Sequence, residues 1–557
     1  MGVAPKARRV TATIALAVSI GLGGSFLAAC SNSGDTVAAA AVDTEAAVLA
    51  DSLAASETLL KSSEAVIVSS AGKAEQRRAA AIAVATNLPM LVVGTAEEGA
   101  PLEKVEAEIE RLGAKKVLTV GAVDLSSSED RTVIVDPGTE EGIEELIDVD
   151  FDTIERREPT SQMSKAITEM TADKPTLVDL PNAGSNPSQQ DVDRANGGED
   201  KSDEADRSIP VAKPGDNDDV VAFSVPGTDL ASIATARAAG MAVEWLPAGD
   251  ARATSGSIEA AREEKSLVAL GPGFGSADKF AKSVDLARDD SIQELPGGGT
   301  LLFPGRHIVA TYGHPGEPLL GLMGEEDAEG AVATAQEYVK QYQDLTDDKV
   351  IPAFEIIASV AQGDPGPRGD YSAAAPIETL EPYVDAMTEA GGYVIIDLQP
   401  GSADFLEQAK YYEELLKRPN VGLALDPEWK LYDGQIPNQV VGHVKAEEIN
   451  EVADWLAKLT ADNNLPQKML MLHQFQLQMI RDRETLDLSH PELAFVLHAD
   501  GHGTAEQKFE TWNVLLQDLQ PEIFVAWKNF LDEDEPQMFT PEQTMDIEPR
   551  PWVVTYQ

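Results

Sequence analysis

Three groups of residues in the C-terminal half have types and spacings suited to chemistry. Asp426 and Glu428 follow the apolar run Gly422–Leu425, two positions apart. On a strand, that spacing puts both carboxyls on one face. Asp397, at the end of the run Tyr393–Leu398, is the third candidate catalytic carboxyl. His498-Ala499-Asp500-Gly501-His502 packs three metal-ligand side chains into one short stretch, and His473 closes the preceding apolar run. Imidazole and carboxylate together suit zinc or a similar ion. A divalent metal is therefore a candidate cofactor, with His473, His498, Asp500 and His502 as its ligands. Tyr312, Gln399, Trp429, Lys528, Asn529 and Tyr556 stand at or just beyond the ends of apolar runs and are candidate substrate-binding groups.

The elements that must position these residues alternate regularly. From residue 304 to 557 the apolar runs are His307–Tyr312, Ala353–Val360, Tyr393–Leu398, Gly422–Leu425, Lys468–Leu472, Leu493–Leu497, Ile523–Lys528 and Trp552–Tyr556, with helical patterns between most of them. Eight strand-helix units in about 250 residues predict a (β/α)8, TIM-like barrel, whose functional groups gather where the strands end. A doubly wound open sheet is the alternative, and eight units with nothing left over favour closure. A polar side chain at nearly every strand end is better explained by a pocket than by eight separate surface residues.

Upstream, Ala65–Ser70, Leu88–Gly94 and Lys116–Gly121 read as buried strands joined by helices, which implies a parallel sheet covered on both faces. The same order recurs from Val220, so the fold class expected is α/β, with N-terminal parallel-sheet repeat modules followed by the barrel. The boundaries expected are 61–184 for the first module, 185–219 for an acidic disordered linker and 220–296 for the second module. Gly271-Pro272-Gly273-Phe274-Gly275 does not complete a dinucleotide-binding fingerprint, because Ser276 takes the last position, and it reads as a tight turn.

Residues 1–30 have the form of an export signal: Lys6, Arg8 and Arg9 precede an apolar stretch ending in Leu27-Ala28-Ala29-Cys30. That ending resembles the lipobox of bacterial lipoproteins. The resemblance implies that Cys30, the single cysteine of the chain, carries a diacylglyceryl anchor to the extracytoplasmic face of the cell membrane. Residues 31–60 would be a tether and a first helix.

Two further stretches are familiar. The alanine-rich helix leading into "NLPMLVVGT", followed by "EIERLGAKKVLTVGAVDLSS", is similar to the type-2 cell-wall-binding repeat of Gram-positive surface proteins. The run "VGLALDPEW" resembles the acidic strand of chitinase-like family 18 glycosidases and shares its Gly422, Asp426 and Glu428. Carried over, that resemblance makes Glu428 the proton donor and Asp426 the group that orients the substrate acetamido group. The chain as a whole looks like lipoproteins of high-GC Gram-positive bacteria that carry the cell-wall-binding repeat, which implies an envelope location and cell-wall glycan as partner.

Charge limits the other partners. With 43 Lys+Arg against 95 Asp+Glu, the formal net charge is −52, so nucleic acid is not a partner by charge attraction. Two functions stay open: a surface-tethered hydrolase acting on envelope glycan, and a non-catalytic wall-binding or scaffold lipoprotein. Solute capture for a transporter would need a two-lobed clamp that this layout lacks.

Overall fold

A computed structural model describes residues 37–42, 46–95, 99–155, 162–179, 208–263, 265–432 and 434–557. The signal segment with Cys30 lies outside the described residues, as does most of the expected linker.

The C-terminal sheet is a closed barrel of eight parallel strands: β1 (Arg306–Gly313), β2 (Lys349–Ala361), β3 (Tyr393–Leu398), β4 (Val421–Leu425), β5 (Lys468–Gln474), β6 (Leu493–Ala499), β7 (Phe524–Asn529) and β8 (Val553–Tyr556). Each pairs with its neighbours in chain order, and β8 pairs back onto β1, with Ile308 opposite Val553. A short antiparallel strand, Ser372–Ala374, extends β2 at its C-terminal end.

Strand parity organises the interior, because alternate residues share a face. Inward positions run Ile308, Ala310, Tyr312 on β1; Ile351, Ala353, Glu355 on β2; Tyr393, Ile395, Asp397 on β3; and Gly422, Ala424, Asp426 on and after β4. They continue with Met469, Met471, His473 on β5; Ala494, Val496, His498 on β6; Phe524, Ala526, Lys528 on β7; and Val553, Thr555 on β8. The first two layers pack as one apolar cluster, closed at the N-terminal end of the barrel by Leu295, Leu302 and Phe303. Gly422 is required there, since a Cβ on it would stand 2.8 Å from both Met469 Cβ and Tyr393 Oη. The layer above is polar all round. Outward positions such as Phe354, Ile396, Leu423, Leu470, Leu497 and Trp527 pack against the surrounding helices.

The N-terminal part contains two four-stranded parallel sheets with the same internal order. In the first, Ala65–Ser70 lies between Met90–Val93 and Lys116–Val120, and Thr132–Val135 forms the edge. In the second, Val220–Ser224 lies between Ala242–Trp245 and Ser266–Leu270, and the edge strand is Ala46–Leu49. Val37–Ala39 and Ala46–Leu49 fall in the stretch expected to be tether, yet both are strands: the first pairs antiparallel with Leu60–Ser63, and the second takes the open edge of Ser266–Leu270. A third, smaller β-α-β unit, Asp152–Glu155, Met163–Glu169 and Thr176–Asp179, stands between the sheets in the chain. The helices Lys73–Thr86, Met163–Glu169 and Leu230–Ala238 pack on one another. Alanines at 79–81, 83, 231, 234, 236 and 238, all buried, let these helices approach closely. Thr235 ties them to the first sheet by exchanging hydrogen bonds with the backbone of Met90, both at 3.1 Å.

Residues 208–219 fall in the segment expected to be linker. They run against the N-terminal part instead, with Ile209 and Ala212 buried and Ala212 N bonded to Thr86 O. Gly271 to Gly275 is a tight turn containing the short 3-10 helix Pro272–Phe274.

Candidate functional site

A cavity of about 450 Å³ opens at the C-terminal end of the barrel. Tyr312, Gln399, Asp426, Glu428, Trp429, Asp500, His502 and Lys528 line it, joined by Phe475 and Phe530. Eight of the residues singled out from sequence are thus brought together.

The fourth strand departs from the expected geometry. It ends at Leu425, and Pro427–Trp429 is a 3-10 turn. Asp426 Oδ1 accepts the Glu428 N–H at 3.1 Å, and Pro427 fits the first position of such a turn. Asp426 and Glu428 therefore do not share a strand face; the turn brings both to the cavity by another route. Gly442 N donates to Glu428 O at 2.7 Å and holds the turn in place.

Beneath this lining lies the polar layer. Tyr312 Oη donates to Asp397 Oδ2 at 2.9 Å. His473 sits at the centre, its Nδ1 2.9 Å from Asp500 Oδ2 and its Nε2 2.6 Å from Glu355 Oε1. His498 Nδ1 lies 3.2 Å from His473 Nε2 and 3.5 Å from Glu355 Oε1. Thr555 Oγ1 donates to Glu355 Oε2 at 2.9 Å. The Lys528 ammonium stands over the Tyr312 ring, 3.7 Å from its centre, a cation–π contact. Glu355, Asp397, His473 and His498 are fully buried.

Burial sets the protonation of the carboxyls nearest the cavity. It pushes Glu428 up to about 7, and the Asp500 charge adds to the effect. It raises Asp426 well above the usual carboxylate range and Asp397 to about 6, against the pull of His473 in both cases. For His473 burial disfavours the cation, but Glu355 and Asp397 outweigh it and hold the imidazolium well above its ordinary range. Burial would also raise Glu355 and Asp500, and the histidines outweigh it, keeping both carboxyls low. The layer thus holds protonated and ionised carboxyls side by side, the pattern from which acid and base roles are built.

The remaining expected site residues lie elsewhere. Asn529 and Tyr556 have the outward parity of their strands. Asn529 accepts from Trp527 Nε1 at 2.9 Å, and Tyr556 Oη meets Tyr342 Oη at 2.6 Å, both behind the barrel wall. Trp527 packs against Trp512 and Phe539, so it is no sugar platform. Asp397, His473 and His498 reach the site only as its buried floor. His502 lines the cavity against Phe530, away from the other two histidines. Glu355 escaped the sequence reading. Its one signal was an acid standing alone in the apolar run Val350–Val360, at the inward parity of Ile351 and Ala353.

Two groups of side chains among the described residues have metal-ligand geometry. One is Glu355, His473 and His498; the other, Asp454, Asp487 and His490, lies at the surface.

No family model matches this chain. No curated protein matches it either. Among solved structures it is similar to Cwp6 from Clostridium difficile, at 12% identity and a TM-score of 0.30. The match covers 70% of this chain and 66% of that one, just under two thirds of its length. A likeness so remote carries no argument about fold or function. Among the described residues no helix is long and apolar enough to cross a membrane.

Proposed function

We propose that the protein is a lipid-anchored glycan hydrolase of the cell envelope, with Glu428 as the proton donor. The observation that carries this reading is the pairing of Glu428 with Asp426 on one cavity wall, both raised by burial so that they hold protons near neutral pH. A carboxyl kept protonated at pH 7 can deliver its proton to a glycosidic oxygen. Asp426, fixed by its hydrogen bond to Glu428 N, orients the substrate beside it. Trp429, Phe475 and Phe530 offer apolar faces to sugar rings, and Gln399 and Lys528 offer donors to their oxygens.

The envelope location rests on the lipobox at Cys30 and on the resemblance of residues 64–127 to a wall-binding repeat. The two sheets of like strand order and the small β-α-β unit would act as wall-binding modules that present the barrel to glycan.

The test is turnover of purified peptidoglycan and simple N-acetylhexosaminides by the full chain and by Glu428→Gln. Product release that Glu428→Gln abolishes, with glycan binding retained, supports the hydrolase. Binding without turnover in the parent protein overturns it in favour of a non-catalytic wall-binding lipoprotein.

A further inference from the structure

The floor of the cavity poses a problem that protons alone solve poorly. Glu355 Oε1, His473 Nε2 and His498 Nδ1 form a triangle with edges of 2.6, 3.2 and 3.5 Å, all of it fully buried. One proton on His473 Nε2 serves Glu355. His498 Nδ1 then either aims a second N–H at the same oxygen or turns its lone pair toward an already engaged nitrogen. Nearby, Asp397 Oδ1, Asp500 Oδ1 and His498 Nε2 are buried without hydrogen-bond partners among the described residues. The layer and the cavity wall hold five carboxyl groups, those of Glu355, Asp397, Asp426, Glu428 and Asp500, together with the ammonium of Lys528. A bound cation would offset the carboxylates that ionise there, in place of the protons that otherwise do so.

We propose that Glu355, His473 and His498 are the protein ligands of a divalent first-row transition ion of the zinc type. Ligand atoms about 2.1 Å from one ion lie roughly 3 to 3.4 Å apart in octahedral or tetrahedral arrangements, and the triangle is close to that size. Two imidazoles and a carboxylate favour such an ion over calcium or magnesium, which take oxygen ligands. The surroundings are those of a prepared centre. Asp500 Oδ2 holds His473 Nδ1 from behind, the carboxylate–histidine–metal arrangement that fixes the ring and aims its other nitrogen at the ion. Thr555 does the same for Glu355 through its second oxygen. Three protein ligands leave a coordination position open, and Tyr312, Asp426, Asp500 and Lys528 of the same polar layer line the cavity. His502, by contrast, has no part in the centre. The assignment does not depend on the glycan reading, because metal content is measured without substrate.

The experiment uses the full chain, purified in detergent, stripped with a strong chelator and titrated with zinc and then cobalt. Metal content is read by mass spectrometry, and the cobalt form by its visible absorption. The expected result is a single ion per chain with nitrogen and oxygen ligation, retained in His502→Asn and lost in Glu355→Gln and His498→Gln. Asp500→Asn should bind about 10- to 100-fold more weakly. Circular dichroism establishes that each variant is folded; where a ligand variant does not fold, the cobalt spectrum of the parent chain decides. A folded parent that takes up neither ion stoichiometrically overturns the proposal, as does full uptake by folded Glu355→Gln and His498→Gln. In either case the floor is a proton-linked charge cluster.

Discussion

The phenol of Tyr312 donates to Asp397 across the top of the barrel interior, at 2.9 Å, although 85 residues separate them in the chain. Among the described residues no other group donates to the Asp397 carboxyl, and its second oxygen is buried without a partner. Tyr312→Phe should therefore destabilise the fold by about 1–3 kcal/mol, the cost of leaving a buried acceptor unmet. It should also raise Asp397 further above its present value of about 6. Chemical denaturation and carbon NMR titration of the carboxyl check the two outcomes separately.

Catalysis should fall as pH rises through about 7, because Glu428 is held there by burial and must carry its proton to act. Glu428→Gln should lower kcat by about 10²- to 10⁴-fold while leaving glycan binding within a few-fold of the parent. A pH profile of kcat/KM and an equilibrium binding assay test this pair. An activity that stays flat from pH 6 to 9 would remove Glu428 from the role.

Trp429 and Tyr556 should behave oppositely. Trp429 lines the cavity, and its replacement by Ala should weaken glycan binding by roughly 0.5–1.5 kcal/mol with little loss of stability. Tyr556 bonds Tyr342 behind the wall at 2.6 Å. Tyr556→Phe should cost about 1 kcal/mol of stability and leave binding unchanged. Isothermal titration and thermal melts separate the two.

Stability should rise with pH above neutrality on account of Lys468. Its ammonium is fully buried at the start of β5, where it donates to Arg418 O at 2.7 Å and Val421 O at 2.8 Å. Burial lowers it to about 7 in the folded chain, against about 10.4 when unfolded. Between those values the unfolded state binds more protons, so stability grows with pH from about 7 to about 10.4, and this contribution is already gone when pH has fallen to 7. The full span is worth on the order of 5 kcal/mol. Lys468→Met should flatten the dependence of Tm on pH between 7 and 10; an unchanged slope would contradict this.

Cys30→Ser should abolish incorporation of labelled fatty acid and release the protein into the medium. Fractionation of cells expressing each form measures it.

Much of the barrel was legible because strands buried on both faces read as continuous apolar runs, and each run found in the sequence corresponds to a barrel strand. The polar rim was legible for the same reason: a charged residue closing such a run has no place in a core. Parity was the overlooked signal. Counting by two from Ala526 puts Lys528 inside and Asn529 outside, and from Val553 it puts Thr555 inside and Tyr556 outside. The same count places Glu355 with Ile351 and Ala353, inside the barrel. The turn after β4 was hidden for a different reason, since Asp426 captures the Glu428 N–H and ends the alternation there.

By itself, then, the sequence determined local facts: apolar runs, their period of two, and a polar residue at the third inward step. These follow from which side chains tolerate water and from strand geometry, neither of which needs a partner. Only the tertiary structure decided which residues meet. Glu355 and His473 are 118 residues apart in the chain and 2.6 Å apart in the fold. Their meeting depends on barrel closure and on the register of every strand pair around the ring. That register is a collective outcome of packing the two apolar layers below, so no single stretch of chain encodes it.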